Sequence, residues 1–256
     1  VVNGQYTPEI MHRLGKVGDP QVSPDGSKIL YGVTYTSIEQ NKGNRELYLM
    51  DIDGSNNVKI TNTPKSESNA RWIDDSKIIY MRGGRLYTAT LAENAISQEV
   101  EVAGAEGFEG FELSPDNSRI MFVKSVKAAV KPTDLYPDLD KSSGRTYTDL
   151  MYRHWDHFVE EVPHTYIADF TGSLVGEATD LLAGDTANPE SADRLFELPT
   201  LPFGGLEQLS WSPDGRYIAY SCRKLAGKKY AFSTNTEIYI YNVSTAETKV
   251  IEMGGG

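Results

Sequence analysis

The sequence predicts an all-β fold of the β-propeller class. One observation is a turn followed by an apolar strand, which returns four times along the 256 residues. Another is a second strand that follows each copy and runs into a further turn. A repeat of about 40–50 residues with several strands per unit is typical of propeller blades, because one unit cannot bury its own faces. The four turn segments are Ser23–Gly26, Asp74–Ser76, Ser114–Asn117 and Ser212–Gly215.

The repeat divides the chain into a lead-in and four blades. Residues 1–19 lie outside the repeat, and Thr7-Pro8-Glu9 predicts a short N-terminal helix with Thr7 as its N-cap. Residues 20–256 are assigned to the propeller, with blades at 20–65, 66–107, 108–205 and 206–253. Most propellers have more than four blades. The chain also ends at Gly254–Gly256, just after an outer strand, so we expect it to be the early part of a larger propeller.

Three of the turns share the sequence Ser-Pro-Asp, with their aspartates at Asp25, Asp116 and Asp214. Proline presets φ in such a turn, aspartate accepts a backbone N–H, and glycine or asparagine tolerates positive φ. We therefore expect these aspartates to be structural. The sequence Asp51–Gly54 does not match a calcium loop, because its glycine comes two positions too early, and no zinc spacing is present. No metal and no cofactor are predicted.

Composition excludes several classes of partner. The formal net charge is −11, and no basic stripe is present, which argues against nucleic acid. No apolar run approaches the roughly 18 residues of a transmembrane helix, so no membrane span is predicted. The single cysteine, Cys222, lies in an apolar strand and is expected in the core.

No catalytic motif occurs in the sequence. A serine-hydrolase elbow, Gly-x-Ser-x-Gly, is absent, and so are His-Glu-x-x-His, paired Cys-x-x-Cys, a P-loop and a dinucleotide loop. We therefore assign no catalytic residue to this chain.

The third blade contains an insertion, predicted over residues 131–163, and long loops of this kind tend to be functional. Aromatic residues, an arginine and paired carboxylates suit recognition of a charged ligand, and two acids can receive a peptide α-ammonium. The alternative is that Trp155 and Phe158 anchor the loop, that Arg153 pairs with Asp156 and that the acids are solvated. A second polar, proline-containing excursion is predicted over Asp185–Pro202. The candidate substrate-binding residues in the insertion are Arg153, His154, Trp155, Glu160 and Glu161.

Two segments resemble a known family. They are the opening, Thr7-Pro8-Glu9 with Leu14–Val17 leading into Pro20–Gly26, and Asp149–Asp156 followed by His164–Ile167. Together they are similar to the propeller part of the prolyl-oligopeptidase family of serine peptidases, in particular to the dipeptidyl-peptidase 5 and acylaminoacyl-peptidase branch. The resemblance covers essentially the whole chain.

This resemblance implies a seven- or eight-bladed propeller followed by an α/β-hydrolase domain with a Ser, Asp and His triad, none of which lies in this chain. The family's propeller limits entry to short or unfolded peptides. A glutamate pair in another branch holds the substrate N-terminus, and Glu160-Glu161 is similar in kind. The resemblance thus implies the propeller domain of a dipeptidyl- or acylaminoacyl-type exopeptidase. Its implied partners are short peptides and the hydrolase domain of the same polypeptide; a homodimer is left open, and the expected location is periplasmic or secreted.

Two other interpretations stay open at this point. One is a stand-alone propeller of the TolB-like kind that binds a protein partner, although such a module has no evident need for the long insertion. The other is a propeller polysaccharide lyase or glycosidase. Such an enzyme needs inward-facing carboxylates on several blades, whereas the strands here mostly carry tyrosine and aliphatic residues.

Overall fold

The structure, a computed structural model, describes residues 4–147, 150, 152–183, 196–225 and 227–251. Its described strands form four four-stranded antiparallel sheets and one two-stranded hairpin. In each large sheet the four strands follow one another along the chain as in a propeller blade, which confirms the predicted fold class. The predicted Gly254–Gly256 end and residues 185–195 of the second excursion lie outside the described residues, as do Asp149 and Met151.

The chain divides into two compact units, the first formed by Val1–Phe108 with Thr171–Val175 and the second by Glu109–Phe170 with Gly176–Gly256. The first unit begins with helix α1, Pro8–Arg13, whose N-cap Thr7 accepts a hydrogen bond from the Ile10 backbone at 3.4 Å, as predicted. Its first blade contains β1 (Lys16–Val22), β2 (Lys28–Ser37), β3 (Lys42–Asp51) and β4 (Val58–Lys59). Its second blade contains β5 (Glu67–Asp74), β6 (Lys77–Arg82), β7 (Arg85–Ala92) and β8 (Ala95–Glu101).

The first blade starts earlier than the predicted boundary at residue 20. Strand β1 begins at Lys16, and Val17 pairs with Val33 before the register shifts between Gly18 and Gln21. Asp19 has φ of 54° at this bulge, and Pro20 has no N–H to donate. The bulge interrupts the alternation of side chains, so residues 16–19 do not look like part of the repeat in the sequence.

The core of the first unit lies between its two blades. The residues that form it are buried and come from the two central strands of each blade, together with Ala70 of β5. The second blade joins β6 to β7 directly through Gly83 and Gly84, both at positive φ. The core residues are Leu30, Leu47, Leu49, Ala70, Ile78, Tyr80 and Ala89.

The second unit contains the third and fourth blades. The third blade consists of β9 (Gly110–Leu113), β10 (Arg119–Lys127), β13 (Glu161–Asp169) and β14 (Thr179–Asp180). Its insertion carries helix α2 (Pro132–Leu135) and the hairpin of β11 (Arg153–His154) and β12 (His157–Phe158). The fourth blade has β15 (Leu209–Trp211), β16 (Tyr217–Cys222), β17 (Glu237–Asn242) and β18 (Thr248–Ile251), with helix α3 (Gly227–Phe232) after β16.

The insertion is displaced by about three residues from its predicted range of 131–163. Strand β13 pairs with β10 as far as Glu161 opposite Lys127, so the chain leaves the sheet only over residues 128–160. The predicted end at Pro163 is therefore wrong. Proline cannot donate to a ladder, but Pro163 still lies opposite Ser125 in the pairing of β10 with β13. Its carbonyl accepts a hydrogen bond from the Leu198 N–H at 2.9 Å.

The three aspartate turns are built in the same way. The Asp25 carboxylate accepts hydrogen bonds from the Ser23 hydroxyl at 2.6 Å and the Ser27 backbone at 3.0 Å. Asp116 and Asp214 close their turns with the matching serine and backbone donors. These hydrogen bonds lower the pKa of all three carboxyls to about 2. None of the described helices is long and apolar enough to cross a membrane.

Candidate functional site

Three segments of the second unit come together around the insertion hairpin. Strands β11 and β12 pair Arg153 with Phe158 and His154 with His157, which leaves Trp155 and Asp156 to make the turn. Trp155 has φ of 47°, an unusual conformation for a bulky residue. Its side chain is 76% exposed. The hairpin therefore presents a tryptophan at its tip.

A buried carboxylate holds this hairpin. Glu197, in the connector before the fourth blade, is 2% exposed, and its Oε1 lies 2.5 Å from Nε2 of the buried His154. The Tyr230 hydroxyl of α3 donates to the other oxygen, Oε2, at 2.6 Å. Burial, followed by the nearby Glu197 charge, raises the pKa of Tyr230, so its hydroxyl stays protonated as a donor. We call His154, Glu197 and Tyr230 the carboxylate clasp.

The clasp also reaches the fourth blade. The Cys222 thiol, at the end of β16, donates to the Glu197 carbonyl at 3.4 Å and is buried in the core, as the sequence predicts. The Arg223 guanidinium lies over the Tyr230 ring, with Cζ 3.9 Å from the centroid. The hairpin is thereby tied to two elements that are far from it in the sequence.

An exposed aromatic pair lies next to the clasp. The Trp155 and Phe203 rings meet edge to face with their centroids 5.6 Å apart. Phe203 is 79% exposed, so both rings of the pair face solvent. Phe203 belongs to the same connector as Glu197.

The two predicted glutamates have different surroundings. The Glu160 carboxylate bonds Nζ of Lys131 at 2.7 Å and the guanidinium of Arg145, and these two cations lower its pKa. The Glu160 carbonyl accepts hydrogen bonds from the Ala128 and Ala129 backbones. Glu161 begins β13, and its exposed side chain has no ion-pair partner in the described part of the chain. Of the two acids, only Glu161 offers a carboxylate without an internal cation.

The remaining predicted site residues lie around the same hairpin. Substrate contact by His154 stays a prediction; in the structure its side chain is 4% exposed and bonded to Glu197. Arg153 is exposed, with its guanidinium 5.9 Å from the Phe158 ring centroid. The Asp156 carboxylate contacts Nδ1 of His157 at 3.1 Å, rather than forming the alternative pair with Arg153. Among the described residues, no three His, Cys, Asp or Glu side chains are placed to hold a metal ion.

Sequence reasoning did not find Glu197, Phe203 or Tyr230. The polar, proline-containing excursion over Asp185–Pro202 pointed to the segment that holds Glu197. No local pattern marks Glu197 itself, because its partner His154 lies 43 positions away.

Comparison with known proteins gives a consistent picture. No protein-family model matches the chain. It is 38% identical over 251 residues to a dipeptidyl-peptidase 5 of Porphyromonas gingivalis, covering 97% of this chain and 35% of that protein. It is 33% identical over 255 residues to a dipeptidyl-peptidase 5 of Porphyromonas endodontalis, covering 98% and 36%. The chain thus spans about a third of the length of these relatives.

A solved structure shows the same fold. The acylaminoacyl peptidase of Pyrococcus horikoshii superposes with a TM-score of 0.63 at 15% identity, over 97% of this chain and 34% of that protein. At this identity the likeness concerns the fold alone.

Proposed function

The chain belongs to the propeller part of the prolyl-oligopeptidase family of serine peptidases, and we propose that it is the propeller domain of a serine exopeptidase. The observation that carries this proposal is the 38% identity to a dipeptidyl-peptidase 5 along 97% of the chain. In such an enzyme a serine attacks the peptide carbonyl, the C–N bond breaks and the C-terminal part leaves as an amine, and water then hydrolyses the acyl-enzyme ester to release the N-terminal part as an acid. A hydrolase domain in the rest of the polypeptide would supply the nucleophile, base and oxyanion hole. This chain would limit which peptides reach the active site and would help to position their N-termini.

The activity is tested on the natural full-length polypeptide. Peptides with a free N-terminus are incubated with it, and the products are identified by mass spectrometry. Release of N-terminal dipeptides supports a dipeptidyl peptidase, and release of single blocked residues from acetylated peptides supports the acylaminoacyl type. Absence of both products at every peptide length would contradict the proposal.

Gating by the propeller is the second part of the proposed function. The resemblance to peptidases whose propeller limits entry supports it, together with the blades and insertion described above. A series of peptides that share one N-terminal sequence but increase in length separates gating from specificity. We expect kcat/KM to fall steeply with length, and to be lowest for a folded protein with the same N-terminus. Equal rates across the series would contradict gating.

The third part is an acidic contact for the substrate N-terminus. We propose that Glu161 receives the α-ammonium, since an ionised carboxylate and an ammonium form a charge-assisted hydrogen bond. Glu160, whose carboxylate already has Lys131 and Arg145, contributes by keeping the insertion in place. Glu161→Ala should raise KM for free N-termini and leave acetylated peptides unchanged. Glu160→Ala should raise KM for both substrates, because it loosens the loop. Wild-type KM for free N-termini in Glu161→Ala would contradict the anchor.

We further propose export to the periplasm or the medium, and a homodimer as the assembly, in keeping with the family resemblance. Cell fractionation with an antibody against the chain tests the first, and light scattering of the purified polypeptide tests the second. Recovery in the cytoplasm, or a monomeric mass, would contradict the respective proposal.

A further inference from the structure

We propose that Trp155 and Phe203 form an aromatic subsite for a large apolar side chain near the N-terminus of the peptide, and that Glu197 is its positioning residue. This inference rests on the proposed peptidase function. It assigns a specificity role to Phe203 and Glu197, which the sequence did not indicate.

Both rings of the pair are largely exposed to solvent. Trp155 is 76% and Phe203 79% exposed, yet their rings meet in an edge-to-face contact. They come from separate segments, the insertion of the third blade and the connector to the fourth. Exposed aromatic surface built from two segments marks an interaction site, because the chain gains nothing from burying so little of it.

Contacts within the hairpin and the connector hold the two rings in place. Trp155 adopts a left-handed backbone conformation, and the adjacent His154 is fixed by the buried Glu197 carboxylate. The same connector fixes Phe203, because the Gly204 N–H donates to the Thr200 carbonyl at 2.9 Å. Unfavourable backbone conformations persist only where the surrounding structure fixes them, and they cluster at binding and catalytic sites. Here the geometry that they define is that of two solvent-facing rings.

The charged and aromatic groups at the pair determine which kind of peptide residue it would bind. Asp156, next to Trp155 in the turn, is 89% exposed, and the chain has a net charge of −11. The exposed Asp156 carboxylate attracts the α-ammonium of a free peptide N-terminus. The electron-rich ring faces favour a cation and apolar groups over an anion. A peptide that begins with a large apolar residue carries both features within a few ångströms of each other. A peptide with an acidic first residue keeps the α-ammonium, but its side chain adds an anion that the ring faces and Asp156 disfavour.

The test uses the natural full-length polypeptide and two fluorogenic dipeptide substrates that differ only in their first residue, phenylalanine or glycine. We expect Trp155→Ala and Phe203→Ala each to lower the phenylalanine-to-glycine ratio of kcat/KM about tenfold, the size expected for loss of one apolar contact. The loss should lie in KM for the phenylalanine substrate and should be much larger than any change in KM for the glycine substrate. Tyr6→Ala, which removes a ring that is 66% exposed in the first unit, is the control and should leave the ratio unchanged.

Two results would overturn the proposal. One is an unchanged ratio in both variants. The other is an equal loss on both substrates with a lower unfolding midpoint, which would mean that the rings pack on another part of the polypeptide.

A binding measurement separates this proposal from the proposed function. If the polypeptide cleaves neither substrate, titration with Phe-Gly-Gly and Gly-Gly-Gly by isothermal calorimetry still reports on the subsite. Tighter binding of Phe-Gly-Gly that disappears in Trp155→Ala supports the subsite although the peptidase proposal has failed. Equal affinity for the two peptides overturns it.

Glu197 is tested by a matched pair of variants. Glu197→Ala should reproduce the loss of the ratio seen in Trp155→Ala. Glu197→Gln places an oxygen that accepts from the Tyr230 hydroxyl and an amide N–H that donates to Nε2 of the His154 ring in its other tautomer, so we expect it to restore most of the preference. A wild-type ratio in folded Glu197→Ala would remove Glu197 from the proposal. If Glu197→Ala does not fold, Tyr230→Phe removes one hydrogen bond to the Glu197 carboxylate and keeps the ring. A lowered ratio in that variant supports positioning through Glu197, and a wild-type ratio removes Glu197 from the proposal.

Discussion

The second and third blades use the same framework for different purposes. In the second blade, Gly83 and Gly84 join the two central strands directly, whereas in the third blade residues 128–160 separate them. Both blades still stack an aromatic pair across these strands, Tyr80 on Tyr87 at 6.1 Å and Phe122 on Tyr166 at 5.6 Å. The long insertion has therefore left the blade's pairing intact. The difference shows that a propeller blade can carry a long insertion that is held by its own contacts.

The largest expected effect tests whether the two frameworks are equivalent. Ile78 in the second blade and Ile120 in the third are fully buried on the corresponding strands. Truncating either to alanine should lower the free energy of unfolding by about 3 kcal/mol, through lost transfer energy and a cavity. Chemical denaturation of the two variants measures this. A loss for Ile78→Ala but none for Ile120→Ala would mean that the insertion has loosened its blade.

A somewhat smaller and more local effect should distinguish the insertion from the blades. Glu197→Ala leaves His154 and Tyr230 buried without their shared acceptor, which should destabilise the hairpin by about 3 kcal/mol at most. Hydrogen exchange should therefore speed up in β11 and β12, while β6 and β7 exchange as in the wild type. Uniformly faster exchange in all four strands would contradict the view that the insertion is held separately.

The first unit has its own buried acid, and it predicts a pH dependence. The Thr61 hydroxyl lies 2.9 Å from Oε2 of Glu46 and 3.1 Å from Oε2 of Glu67, but it has one proton for the two oxygens. Burial, chiefly, raises the pKa of Glu67 from its ordinary 4.5, with the Glu46 charge adding to the rise. The charged groups facing the pair are Lys59, whose Nζ lies 3.4 Å from Glu46, and Arg82, 3.9 Å from Glu67.

A raised pKa means that the folded state favours the protonated carboxyl. Its contribution to stability is then complete below pH 4.5 and is lost as the pH rises through the raised value. Wild-type melting temperature should fall by roughly 2–4 °C across that window. Glu67→Gln, which cannot ionise, should not show this fall. An identical pH profile in the variant would contradict a raised pKa at Glu67.

The smallest expected effect concerns the turns, which both units share. A pKa of about 2, against an ordinary 3.8, means that Asp25, Asp116 and Asp214 stabilise the fold above pH 4 and lose this effect as the pH falls toward 2. Each exchange to asparagine should lower the melting temperature at pH 6 by about 2 °C and weaken its fall in acid. Scanning calorimetry at pH 6 and pH 3 checks this. An equal acid response in the triple variant would contradict it.

The sequence was sufficient for features that depend on neighbours along the chain. The turns around Asp25, Asp116 and Asp214, the helix after Thr7 and the strands between them all follow from local chemistry. It was insufficient at β1, where the bulge at Asp19 hides the pattern, and at Pro163, where pairing continues through a residue that usually ends it.

The candidate site shows the same limit more strongly. The sequence alone does not distinguish Glu160 from Glu161. The fold shows that Lys131 and Arg145 form ion pairs with the Glu160 carboxylate. The sequence does not show that His154 has a partner within the chain, because that partner, Glu197, lies 43 positions away. Contacts at such separations arise from the packing of blades, and one sequence without its fold does not reveal them.

The most direct test of the account is to isolate the natural polypeptide from its source, measure its intact mass and treat it with a biotinylated fluorophosphonate that labels reactive serines. The relatives are roughly threefold longer than this chain. We predict a mass far above 28.4 kDa, a single labelled serine outside the 256 residues, and loss of peptide cleavage on labelling. A polypeptide of 28.4 kDa that takes up no label would contradict the peptidase account and favour a propeller that binds a protein partner.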